Sequence, residues 1–517
     1  MVTDEPETDL PELEKETVDA GAKPRLIRNA VSLIGAALAV VSFANIAFLV
    51  FVDLIAGKPS PYLGIFAYMV MPAFLVLGLL LVPVGMLLER RRRLRYAPSH
   101  LRYPRLDFNN PAQRSAFAFF VSFAAIFIVV SAAGSYRAYE FTDSVQFCGQ
   151  LCHTIMNSEY TTYLKSPHAR VACVECHVGP GASWYVRSKL SGAYQVYAAI
   201  AEVYPRPIPT PVANLRPAQQ TCEQCHWPRM FYGAQLKVFT HYAPDEKNTP
   251  RQIRMLIDIG GAEPSAGVPS GIHWHMNIAN QITYISTDSQ RQVIPWVQQK
   301  DQSGHITIYQ SKSSPLTAQQ VAKGAKRVMD CVDCHDRPSH IFLPPDVAVD
   351  NAIFAKHIDG SLPFIKQQAV EVLTKKYDTK AEALQNIASS LHAFYSGKYP
   401  QVYNSQRPAV EAAVSEVQTI YSQNFFPYMR VDWRTHPNNI GHLYFPGCFR
   451  CHDGQHVSAG GKVIPNTCNT CHVVLQQLES GVPVMGNFAG VEFKHPADIG
   501  DLTQVTCSDC HTGGTGP

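Results

Sequence analysis

Hydrophobic and polar positions divide the chain into an apolar opening and a mixed remainder. Three stretches are almost free of charge: Ala30 to Ile55, broken only by Ser32, Ser42, Asn45 and Asp53; Tyr62 to Leu88; and Ala116 to Ala133. Each approaches the roughly 20 residues a helix needs to span a bilayer, so three transmembrane helices are predicted. Buried core helices are the alternative reading, but the runs are nearly uncharged over their whole length. Further along, Pro363 to Lys376, Ala381 to Tyr395 and Pro408 to Gln423 place apolar residues at i, i+3, i+4 spacing and predict helices. Gln281 to Thr287 and His305 to Gln310 read as strands, with a turn at Asp301 to Gly304. The expected fold is mostly α: three N-terminal transmembrane helices, then a loop-rich helical region with a small β element.

Charge orients the helices. Net charge is only +3, so nothing global points to nucleic acid. The linker between the second and third apolar runs holds Arg90, Arg91, Arg92, Arg93, Arg95, Arg102, Arg105 and Arg114, whereas the first linker holds only Lys58. Positive loops stay inside, so the arginine loop 89–114 is expected in the cytoplasm. The acidic, pattern-free tail 1–27 is expected there too, disordered, and everything after the third run is expected outside. The first run is too long for a signal peptide, and no small-residue cleavage site follows it.

The cysteines give the chemistry. All 14 fall into seven motifs. Six are C-x-x-C-H: Cys173/Cys176/His177, Cys222/Cys225/His226, Cys331/Cys334/His335, Cys448/Cys451/His452, Cys468/Cys471/His472 and Cys507/Cys510/His511. The first, Cys148/Cys152/His153, has one extra spacer residue. This spacing is that of c-type haem attachment: two thiols add to the haem vinyl groups and the adjoining histidine ligates the iron. A zinc ribbon has no need of a histidine after the second cysteine, and a disulfide scaffold would not place every cysteine this way. Seven covalent haems are therefore expected, in a periplasmic region where such attachment takes place. Electron transfer is the work they imply.

Motif spacing predicts parts. After the transmembrane region 28–135 come a three-haem region 136–235, an insert 236–343 with the β element and the fourth haem, a haem-free helical segment 344–440, and a three-haem region 441–517. The long intervals around the fourth motif suggest a haem group near the membrane and another far from it. Of 20 histidines, seven belong to motifs and His100 lies in the cytoplasmic loop. Second axial ligands are expected among His168, His241, His273, His275, His340, His442, His456 and His495. His273 and His275 point to opposite faces if extended, so one of them is expected rather than both. His305, His357, His392 and His436 are read as structural.

Phe147 to Tyr197 resembles the NapC/NirT family of membrane-anchored quinol dehydrogenases. The residues carrying the likeness are F-C-G-Q-L-C-H-T-I-M, Glu159/Tyr160, Ser166 to His168, C-V-E-C-H-V-G-P-G from Cys173 to Gly181, Trp184 and Lys189. The layout of three spans and seven haems resembles the heptahaem inner-membrane members of metal-reducing bacteria. The likeness implies a first haem beside a quinol pocket at the membrane surface, with a methionine as axial ligand. Met156 is that methionine, displaced by one residue in step with the extra spacer. It also implies a lysine and an acidic residue at the quinol. Lys189 matches the lysine, but the acidic position falls at Gln195 or Val196, where no carboxylate stands. Glu175, Glu159 and Glu140 are alternative proton acceptors.

The leading expectation is a bacterial inner-membrane quinol dehydrogenase. It would oxidise menaquinol and pass electrons through its haems to periplasmic c-type cytochromes, in anaerobic or extracellular respiration. A terminal reductase of a small oxyanion is the rival, but no C-x-x-C-K motif is present. A haem-bearing anchor subunit of a larger complex is a third reading. A homo-oligomer stays open.

Overall fold

Long uncharged runs become long helices. The computed structural model describes residues 29–56, 71–96, 107–151, 153–178, 182–212, 215–227, 231–261, 271–276, 280–479, 482–487, 489–496, 500 and 505–514. The chain divides into two compact units, Met1–Thr142 and Asp143–Pro517.

The first unit contains α1 (Ala30–Ala56), α2 (Met71–Tyr96) and α3 (Pro111–Thr142). Among the described residues, two helices are long and apolar enough to cross a membrane, over Ala30–Leu49 and Met71–Arg92. The third apolar run lies inside α3, which is 32 residues long and extends well beyond it at both ends. The first 28 residues lie outside the described residues, as do parts of both linkers. Small residues bring α1 against α2: a Cβ on Gly35 would stand 2.8 Å from the Gly78 carbonyl oxygen. The Ser32 hydroxyl donates to the Val82 carbonyl at 2.9 Å. This is the close, small-residue packing that apolar helices use where water supplies no drive between them. The outward faces keep large apolar side chains exposed, Phe48, Val40 and Leu80 among them.

The second unit begins with a π-helix, Phe147–Leu151, then α4 (His153–Tyr163), α5 (Cys173–His177) and α6 (Ala182–Ile200). Its sheet content exceeds the small β element expected. One antiparallel sheet has four strands: β1 (Ala234–Tyr242), β2 (Pro250–Asp258), β8 (His472–Glu479) and β9 (Val482–Met485), in that order. The other has five, in the order β6 (Arg327–Val328), β3 (Gln281–Ile285), β4 (Trp296–Lys300), β5 (Ile306–Ser311) and β7 (His456–Ser458). The expected turn joins β4 to β5, closed by Gly304 N–H donating to the Asp301 carbonyl at 3.0 Å. A short α7 (Ala318–Lys323) follows β5, capped by Thr317.

The largest apolar core is the segment without motifs. Here α8 (Pro345–Phe354), α9 (Ile365–Thr374), α10 (Lys380–Lys398), α11 (Pro400–Ser405) and α12 (Arg407–Asn424) pack together. Helix α10 buries Ala383, Ile387, Leu391 and Tyr395, one per turn. Helix α12 buries Val410, Ala413, Val414, Val417, Ile420 and Tyr421 at the same spacing. The last helix, α13 (Cys507–Cys510), is a single turn.

Candidate haem-binding site

Each regular motif opens with one helical turn, although in the sixth the histidine already begins β8. Residues at i, i+3 and i+4 share a face, so one turn presents two thiols and an imidazole together. The turn closes on itself: His226 N–H donates to the Cys222 carbonyl at 2.8 Å, His335 to Cys331 at 2.8 Å, His452 to Cys448 at 3.0 Å and His511 to Cys507 at 2.9 Å. The first motif has one residue too many for this geometry. Its segment Phe147–Leu151 is a π-helix, the form in which a turn absorbs one extra residue. The spacer and the π-turn are the same fact seen in sequence and in backbone. Cys152 lies outside the described residues; the other 13 cysteines are free thiols, none in a disulfide.

The histidines then pair. The ring centres of His177 and His340 stand 6.4 Å apart, His226 and His168 6.0 Å, and His335 and His273 6.4 Å. His452 and His275 are 5.8 Å apart, His472 and His442 6.2 Å, and His511 and His495 6.0 Å. Two imidazoles on opposite faces of one metal, each nitrogen about 2 Å from it, place their ring centres about 6 Å apart. Every regular motif histidine thus stands at about that separation from a second imidazole. His273 and His275 each lie beside a different motif histidine, because the segment is a 3₁₀ turn (Ile272–Met276) and not a strand.

Hydrogen bonds set the tautomers. Nδ1 donates to a main-chain carbonyl in His168 (Pro338, 3.2 Å), His340 (Glu159, 3.0 Å), His273 (Ile259, 2.6 Å), His275 (Ile272, 2.8 Å) and His452 (Pro465, 2.6 Å). That leaves Nε2 with its lone pair, the usual arrangement behind a metal-bound histidine. Burial pushes the pKa of His275, His442, His452 and His472 below the ordinary value, and that of His340 down to about 4. Burial thus favours the neutral form that ligation needs. Stacking adds orientation: Phe231 lies on His273 at 4.3 Å and Phe449 on His442 at 4.2 Å, both near parallel.

Two expected ligands stand apart from this pattern. His241 Nδ1 donates to Asp350 at 3.2 Å, on β1, and His456 is buried with both nitrogens hydrogen-bonded to protein. Neither is paired with a described motif imidazole. Of those read as structural, His305 sits beside Asp301, His357 beside Glu416, His392 beside Glu411, and His436 shares a hydrogen bond with Thr210 at 3.0 Å.

The quinol-site candidates lie on α4 and α6. Met156 and Glu159 are half-buried on α4, where the Ser158 hydroxyl donates to Glu159. Gln195 is exposed on α6, its amide donating to Ser191 at 3.3 Å. Lys189 is on the same helix, and its side chain, like that of His153, lies outside the described set. Glu175 is exposed on α5, and Glu140 on α3 pairs with Arg137 at 3.2 Å.

Thiols of neighbouring motifs influence one another electrostatically in chain order. The Cys148 thiol lowers the pKa of Cys173, and the Cys331 thiol raises that of Cys222. Burial raises the pKa of Cys176, Cys334, Cys471 and Cys507, and a thiol of an adjoining motif adds to each rise: Cys225, Cys448, Cys448 and Cys468 in turn. The long sequence interval between the fourth and fifth motifs is therefore not a separation in space.

One-turn thiol pairs, opposed imidazoles and apolar anchor helices define a membrane-anchored cytochrome c of electron transport. The N-terminal region of the NapC/NirT cytochrome c family matches residues 110–207, and the chain belongs to that family. It is 48% identical over 498 residues to the cytochrome c-type protein ImcH of Geobacter sulfurreducens, covering 95% of this chain and 97% of the relative. As a cytochrome c, it binds haem c covalently. No solved structure matches the chain.

Proposed function

We propose that the chain is a seven-haem quinol dehydrogenase of the bacterial inner membrane, oxidising menaquinol and delivering electrons to periplasmic c-type cytochromes. Its three N-terminal helices would cross the membrane, with the N-terminus and arginine loop in the cytoplasm and the second unit in the periplasm. The observation that carries the reading is the set of six opposed imidazole pairs. Such pairs would hold a haem iron from both sides, so its geometry would change little on reduction and no face would stay open for a small oxyanion, which favours relay over terminal reduction. The distal ligands would be His340, His168, His273, His275, His442 and His495 for the second to seventh motifs in turn, with Met156 serving the first.

Menaquinol gives up two electrons and two protons, while each haem c, when bound, takes one electron and no proton. The residues must therefore handle the protons. Lys189 would bind the quinol oxygen, with Gln195 one helical turn and a half further along α6. With no carboxylate at Gln195, Glu159 is the proposed proton acceptor. It is half-buried on α4, the helix that starts at His153 and carries Met156. The contiguity of motifs in chain order supports a relay from the first to the seventh.

Purified protein tests this directly. Intact mass should show seven added haems, and a menaquinol analogue alone should reduce them. Glu159→Gln should slow that reduction with the oxidised spectrum unchanged. A mass short by several haems, or haems reduced by dithionite but never by quinol, would defeat the reading.

A further inference from the structure

The sequence G-I-H-W-H-M contains two histidines two residues apart, and the backbone makes them diverge. Ile272–Met276 is a 3₁₀ turn, in which successive residues are rotated by about 120°. His273 and His275 therefore cannot hold one metal between them, but each can reach its own. His273 faces His335 of the fourth motif with the rings 4° from parallel. His275 faces His452 of the fifth with the rings at 83°.

The turn is held firmly. Gly271 enters it at φ +96°, and a Cβ there would lie 2.7 Å from the Asp258 carbonyl oxygen, so only glycine fits against the end of β2. Backbone N–H groups of His273 and Trp274 donate to Gly260 and Gly271, each at 3.1 Å. At that same strand end Asp258 N–H donates to the Cys471 carbonyl of the sixth motif at 2.9 Å. Between the two imidazoles, Trp274 packs on the core of the five-stranded sheet, formed by Ile282, Tyr284, Ile294, Val297 and Tyr309. Met329, two residues before the fourth motif, and Cys451 of the fifth pack on the same core.

Building on the ligand assignment above, we propose that Ile272–Met276 is a shared strap: one rigid turn supplies the second ligand to both the fourth and fifth motifs and locks them as a coupled pair. Trp274 is its positioning residue. The two parts of the haem region, separated in sequence by the α8–α12 bundle, are joined here, and a displacement of the strap moves both ligands at once.

The ring angles provide the test, because near-parallel and near-perpendicular imidazole planes split the iron d orbitals differently and give distinct EPR components. In full-length haem-loaded protein, His273→Met should remove a near-parallel component and His275→Met a near-perpendicular one. Each should leave the covalent haem count unchanged. Trp274→Ala should shift both components and both midpoint potentials in a single variant, with Trp274→Phe restoring part of the shift. Loss of the same component in both histidine variants overturns the strap, as does a Trp274→Ala effect on one component or none. If neither histidine variant alters the spectrum, the ligand assignment falls and the strap falls with it. These readouts use chemical reductants, so a failure of quinol oxidation would leave the strap standing.

Discussion

Buried His456 pairs with half-buried Asp453 beside the fifth motif, with Nδ1 donating to the Asp453 carboxylate at 2.8 Å. Nε2 donates to the Ile294 carbonyl at 2.7 Å. An imidazole that donates from both nitrogens is protonated and has no lone pair for iron. Burial opposes that charge, but the Asp453 bond and the Ile294 carbonyl outweigh it, and the pKa of His456 is raised above its ordinary 6.5. A raised folded-state pKa gives stability that is fully present below 6.5 and is lost as pH rises through the folded value. His456→Gln should abolish this slope and cost about 1–3 kcal/mol through an unsatisfied buried partner. Thermal melts across neutral pH check the slope. The EPR components should match wild type; a lost low-spin component would make His456 a ligand after all.

A spacer residue of the fourth motif anchors its neighbourhood. Asp333 is buried and accepts from Arg327 Nε at 2.8 Å, Arg291 at 3.1 Å and the Tyr284 hydroxyl at 2.6 Å. Its other oxygen accepts from Asp330 N–H at 2.8 Å, closing a capping box around the turn. Asp333→Ala takes the carboxylate from Arg291 and leaves Arg327 with Asp330 alone, at 3.0 Å; both guanidiniums are partly exposed, and the loss of several hydrogen bonds at one buried carboxylate should cost about 2–3 kcal/mol. Tyr284→Phe removes a single hydrogen bond and should cost about 1 kcal/mol. Chemical unfolding of both variants checks the ratio. Equal losses would mean that the arginines find another partner.

How much of this could be read from the chain depends on how far apart the partners lie. The helices expected over Ala381–Tyr395 and Pro408–Gln423 form as Lys380–Lys398 and Arg407–Asn424, because their apolar stripes are local. Strands β3 and β5 were legible for the same reason. The four-stranded sheet was not: β2 pairs with β8, Ile257 opposite His472, a contact across much of the second unit that no local pattern announces. The same limit applies to the paired histidines. The spacing names each motif histidine, but His177 meets His340 and His275 meets His452 only through the fold. His456 resembled a ligand by its place near a motif. Its Nε2 is committed to Ile294, on the strand side of a different sequence region, and that commitment is invisible in one dimension.

Asp350 ties the helical bundle to the four-stranded sheet. It accepts from Lys366 Nζ at 2.5 Å and from Tyr242 N–H at 3.1 Å, so α8, α9 and β1 meet at one carboxylate. Lys366 is 6% exposed, and burial lowers its pKa. Asp350→Ala leaves the buried ammonium without its carboxylate, holding only the Asp346 carbonyl, and should cost about 3 kcal/mol. Lys366→Met should cost less, since Asp350 keeps its backbone donor and the methionine fills the space. The double variant should recover part of the loss of Asp350→Ala, and a double-mutant cycle by chemical unfolding measures the coupling. Additive losses would mean that the pair carries no net interaction.

The bundle's own core predicts a separable phenotype. Leu391 is 1% exposed, one turn from Ile387 and Tyr395, and packs among apolar side chains with no motif cysteine in that cluster. Leu391→Ala should therefore cost about 2–5 kcal/mol by opening a cavity. The attached haems should number the same as in wild type, because each motif turn closes on its own backbone and its thiols lie outside this core. The bundle does hold the seventh motif's exit: Trp433 Nε1 donates to the Thr512 carbonyl at 2.8 Å, and Asp346 N–H to Gly513 at 3.2 Å. Loosening the core should accordingly be felt at His511 before any other motif histidine. Comparing intact mass, melting temperature and the low-spin EPR components of this variant separates the cases. A drop in haem number with unchanged stability would show that the bundle guides attachment and does not simply brace the finished fold.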